Sequence, residues 1–233
     1  MGIAAAAFYH GVNADHPSGH PMGPSSGGSY IKTAMARWLD PTWRSYALDK
    51  YGHVSTWDTG GVTNMGYMTD CSDSWRFNDD ISAWDTSRVT HMDGTLYRAS
   101  AFNRPIGGWN VNKVTSMYRL FIDCSSFNQP LNDWQVDNVR GALGMAAMFS
   151  GASSFNQPLS DWRVDDITNM GGMFNGASSF NQPLSNWQVD KVTNMGGMFR
   201  DASSFNQPLS DWRLDKVTNM GGMFRDASSF NQP

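Results

Sequence analysis

The sequence predicts a mainly-β fold, a leucine-rich-repeat-like parallel solenoid of about seven 25-residue coils behind an N-terminal helical cap. Three observations carry that expectation. Residues 156–180 read NQPLSDWRVDDITNMGGMFNGASSF and return with few changes at 181–205 and again at 206–230, a period of 25. A unit this short cannot bury its own apolar side chains and must stack on its neighbours. Each unit also repeats aromatic and β-branched groups at fixed phase, which suit short strands laid side by side.

Taken in order, residues 1–29 form a flexible or irregular segment, with an alanine run followed by HPSGHPMGPSSGGS. It lacks the charged start and long apolar core of a secretory signal. His10, His16 and His20 lie in this Gly/Pro-rich setting, which favours adventitious over dedicated metal binding. Residues 30–51 are assigned to a helical cap. Ile31, Ala34, Met35, Trp38 and Leu39 fall at helical spacing, Ser29 is placed to cap the start, and Pro41 should stop or bend the segment. Trp43, Tyr46, Ala47 and Leu48 are expected to continue the apolar face and cover the first layer of the stack.

Residues 52–233 are the repeat region, truncated or closed by a partner at its far end. Trp57, Trp84, Trp109, Trp134, Trp162, Trp187 and Trp212 mark successive units, and insertions at 69–76 and 140–147 account for the two longer intervals. The tryptophans and the recurring methionines, such as Met170 and Met195, are read as core columns rather than a sugar platform or a soft-metal site. Asp137, Asp165, Asp190 and Asp215 align and are read as turn caps accepting backbone N–H bonds rather than a calcium ladder. Asn156, Asn181, Asn206 and Asn231 align as well, and their amides are placed to bond along the stack. Cys71 and Cys124 are too far apart in the repeat to bridge and are expected to be small buried thiols.

The string VTNMGGMF…ASSFNQPLSDW resembles the DUF285 repeats of BspA-like leucine-rich-repeat surface proteins. The stretch AMARWLDPTWRSYALDKYGHVSTWDTGGVTNM is similar to the segment that precedes such arrays. The resemblance covers about residues 31–233. It implies a parallel leucine-rich-repeat solenoid used for surface presentation, adhesion or protein contact, and a cell-surface or secreted setting. It brings no catalytic residue.

Charge and motifs narrow the function. The net charge is −4 from 17 basic and 21 acidic residues, with no basic cluster, so binding through phosphate neutralisation is disfavoured. No apolar run is long enough to span a bilayer. No phosphate loop, HExxH, CxxC or Ser–His–Asp pattern is present, and His53 and His91 look isolated. The expected function is a non-catalytic scaffold making protein–protein contacts, with no cofactor and no metal. A carbohydrate-binding module or cell-surface adhesin is the alternative, to be favoured by aromatic groups lying outside the core beside polar ones. The candidate contact residues are Arg140, Gly141, Leu143 and Gly144 in the second insertion, with Lys216 and Gln232 near the far end.

Overall fold

The structure, a computed structural model, describes residues 28–233; the irregular segment expected at 1–29, with its three histidines, lies almost wholly outside them. Helix α1 spans Gly28–Leu39 and helix α2 spans Arg44–Tyr51. Ile31, Ala34, Met35, Trp38 and Leu39 all point inward at 6% exposure or less, as their i, i+3, i+4 spacing requires. The helix starts at Gly28, so Ser29 sits inside the first turn instead of capping it. Pro41 occupies the turn between the helices. The apolar face expected for the second segment does not form: only Ala47 is buried on α2, while Trp43, Tyr46 and Leu48 are exposed.

The remainder is a stack of coils built from turns. The mainly-β, leucine-rich-repeat-like parallel solenoid is overturned: the described residues contain no β-strand, only four isolated parallel bridges such as Asn169–Asn194 and Asn194–Asn219. The hydrogen bonds show why. Along 170–176 every second N–H reaches the next coil: Met170 to Asn194 O, Gly172 to Gly196 O, Phe174 to Met198 O and Gly176 to Arg200 O. The N–H groups of Met173, Asn175 and Ala177 bond backward instead, each to the carbonyl three residues earlier. Left-handed φ values of 62° at Gly172 and 70° at Gly176 maintain this curl. An extended strand cannot close i→i−3 bonds, so the aromatic and β-branched side chains are carried on successive turns.

The core is a set of side-chain columns. Phe77, Phe102, Phe127, Phe155, Phe180, Phe205 and Phe230 form one continuous stack with centroid spacings of 5.5–6.1 Å. From the third coil onward a second column, Phe121, Phe149, Phe174, Phe199 and Phe224, runs beside it. The two columns touch within each coil, as at Phe174–Phe180, 4.1 Å apart. Offset aromatic pairs at such distances add to what burial alone supplies. Each tryptophan from Trp84 to Trp212 is buried and donates its Nε1–H to a carbonyl of the preceding coil; Trp187 to Leu159 O, at 3.0 Å, is typical. The bond satisfies the one polar atom of an otherwise apolar column.

Candidate functional site

Two amide ladders run along the stack. In the first, Asn78, Asn103, Asn128, Asn156, Asn181 and Asn206 each accept, through Oδ1, the backbone N–H of the equivalent asparagine in the next coil at 2.9–3.0 Å. Gln182, Gln207 and Gln232 add a second donor to the same oxygen. In the second, Asn194 and Asn219 donate Nδ2–H to Oδ1 of the asparagine below, while those oxygens also accept the N–H two residues along. A Cβ at Gly171 would come within 2.7 Å of Asn194 Nδ2, and one at Gly196 within 2.8 Å of Asn219 Nδ2. The paired glycines therefore make room for the amide of the coil above.

The aligned aspartates behave differently from the expectation. None of Asp137, Asp165, Asp190 and Asp215 accepts a backbone N–H among the described residues. Asp137 and Asp165 instead face Arg163, at 3.8 and 3.3 Å. At the position two residues earlier in the unit caps do occur, in the first coils, where Asp58, Asp85 and Asn110 accept the N–H of Gly60, Ser87 and Asn112. Hydrogen bonds from the Ser87 hydroxyl and N–H hold the Asp85 carboxyl below the usual carboxylate range. Among the described residues no three His, Cys, Asp or Glu side chains gather as a metal-binding group.

The predicted contact residues are only partly brought together. Arg140 and Gly141 are exposed, and Leu143 is 47% exposed at the outer turn of the insertion. Gly144 is buried, and its carbonyl accepts the Met117 N–H, which returns the chain to the ladder. Lys216 is exposed in the last coil. Gln232 is half-buried and spent on Asn206. No hydrogen bond or ion pair of the described residues joins either to the insertion.

Sequence reasoning missed two clusters. At the junction of cap and stack, Asp79 accepts the Trp38 Nε1–H at 2.9 Å and lies 3.5 Å from Arg44 and 3.8 Å from His53 Nε2. His53, far from isolated, also pairs through Nδ1 with the Ser55 hydroxyl and accepts the Ser55 N–H. Ser, His and Asp are thus near one another, but the imidazole acts as the N-cap of the short 3-10 turn Val54–Thr56. The second cluster lies over the first three coils. The Tyr67 ring lies against Gly94, whose added Cβ would sit 2.6 Å from it, and Tyr97 is 5.9 Å away. Lys32, Arg98 and Arg119 lie over Tyr67, Tyr97 and Tyr118 at 5.9, 5.0 and 4.7 Å. Burial raises the Tyr67 hydroxyl pKa above its ordinary value. One sequence signal pointed here: all seven tyrosines precede residue 119.

A groove of about 410 Å³ near the far end is lined by Ser185, Asn186, Gln188, Asp190, Asp211 and Arg213, among others. Both cysteines are free, Cys124 buried and Cys71 half-buried, and burial pushes both thiols up. No described helix is long and apolar enough to cross a membrane.

Columns, ladders and turn-built coils define a stacked-repeat protein. The chain belongs to the family described as Mycoplasma protein of unknown function, DUF285, whose model matches residues 41–145 and 142–233. No curated protein and no solved structure matches it.

Proposed function

We propose that the chain is a non-catalytic repeat scaffold that contacts another protein through the insertion at 140–147. The observation that carries this reading is Leu143. In a stack whose inner coils hold their leucines, valines and phenylalanines at 2% exposure or less, this insertion pushes an aliphatic side chain into solvent. Arg140 and Gly141 lie exposed beside it. Loops of this kind, held on a rigid frame, are common contact sites. The likeness of the repeats to those of BspA-like surface proteins supports a cell-surface setting.

Photo-crosslinking tests the proposal. A photoreactive residue at position 143, with one at Gln188 as control, would be introduced into the full chain and activated in the native source. A single protein crosslinked from 143 and not from 188 is the expected result. Equal labelling from both positions, or recovery only of glycan with loss of binding after glycan removal, would overturn it.

A further inference from the structure

The tyrosine–cation strip over the first three coils is not used by the contact surface above. In the coil-to-coil ladder, Tyr67, Gly94, Arg119, Ala147, Gly172 and Gly197 are equivalent N–H donors. The later coils are therefore bare at the position where the first carries a ring and the third a guanidinium. Gly94 lets the Tyr67 ring lie across the second coil, and Arg119 contributes both to the charge around that ring and to the cation over Tyr118. Tyr67, Tyr97 and Tyr118 are half-buried, while Lys32 and Arg98 are exposed.

The balance of charge on this strip is cationic where it counts. Asp93 is occupied by the Ser116 hydroxyl and the Tyr118 N–H. Asp123 faces Arg98 at only 3.8 Å, with both side chains more than half exposed, so an external anion can compete for that guanidinium. Arg119 is half-buried, with its guanidinium against the Tyr67 hydroxyl and over the Tyr118 ring. The strip thus offers ring edges and faces beside planar cations. Tyr67 and Tyr97, on adjacent coils, have ring centroids 5.9 Å apart, on the order of one sugar unit of an extended polysaccharide.

We propose that Lys32, Tyr67, Tyr97, Arg98, Tyr118 and Arg119 form a binding strip for an acidic polysaccharide. Sugar C–H faces lie on the tyrosines, and carboxylates along the polymer meet the guanidinium and ammonium groups. An uncharged glycan leaves the cations unmatched, and an acidic peptide lacks flat C–H faces for the rings.

Calorimetric titration of the full chain with oligogalacturonate, dextran and polyaspartate tests this. Oligogalacturonate should bind saturably, and at least tenfold more tightly than dextran or polyaspartate. Arg98→Gln or Tyr97→Ala should weaken it at least tenfold, while Tyr97→Phe, which keeps the ring, should not. Arg225→Gln, at an equally exposed arginine of the last coil (64%), should leave binding unchanged. Unaltered thermal unfolding of the variants certifies the fold. Absence of saturable binding, equal binding of dextran or polyaspartate, or equal weakening by Arg225→Gln would each overturn the proposal.

Discussion

Replacing Trp187 by alanine isolates what one core column contributes. The side chain is 2% exposed, lies 6.3 Å from the Phe174 ring, and donates Nε1–H to Leu159 O at 3.0 Å. Truncation removes the whole indole from a packed layer, which costs about 3–5 kcal/mol for a buried Trp. It also removes one of two hydrogen bonds to the Leu159 carbonyl, which keeps the Trp162 N–H at 3.2 Å, a loss of about 0.5–1.5 kcal/mol contained partly in the same figure. Neighbouring coils hold each layer from both sides, so little collapse can relieve the cavity. Trp212, at 7% exposure in the last coil, is packed from one side only and should lose less. Urea unfolding followed by fluorescence, with constant slope as the check on two-state behaviour, reads both values. A loss below about 1 kcal/mol for Trp187→Ala, or a larger loss at Trp212, would refute the column account.

Three further outcomes are expected. Gly196→Ala should lower stability by about 1–3 kcal/mol, because the added methyl meets Asn219 Nδ2 at 2.8 Å, whereas Gly108→Ala enters open space and should be close to neutral in thermal melts. Asn181→Ala should cost about 1–3 kcal/mol by stripping the acceptor from the Asn206 N–H, while the Gln207 amide keeps the Asn181 carbonyl, read by the same urea titration. Burial raises both thiols, so less thiolate is present at pH 8, and alkylation followed by intact mass should label Cys124 only after denaturation and Cys71 slowly before it.

The repeat, its phase and the residues of the core were legible in the sequence, because a column of identical side chains every 25 residues has few places to go but inward. The local conformation was legible too, in a signal outweighed by composition. Val189, Val192, Met195 and Met198 are buried three residues apart, whereas a strand that buries one face does so every two. Three is the spacing of i→i−3 turns. β-branched and aromatic content argued for strands, but here those side chains are buried by coils above and below, whatever backbone carries them. The amide ladder at Asn181 was expected from alignment alone. The aspartate caps were not recovered, since their alignment with one another fixed no partner, and Arg163 took two of them. The His53–Asp79 junction joins residues on different turns, and the Tyr67–Arg119 contact spans three coils, distances at which one sequence carries no pairing information. Trp43, Tyr46 and Leu48 misled because a short helix against a narrow first coil has room to bury only Ala47.

The central claim is that coils are joined by a hydrogen-bond ladder whose residues are in turns rather than strands. NMR couplings through hydrogen bonds measure this directly, together with backbone chemical shifts over 170–199. The account predicts a coupling from the Phe174 amide nitrogen to the Met198 carbonyl carbon, at the 2.8 Å contact, with turn-like shifts on both sides. Continuous strand-like shifts across 194–199, or no coupling between Phe174 and Met198, would contradict it.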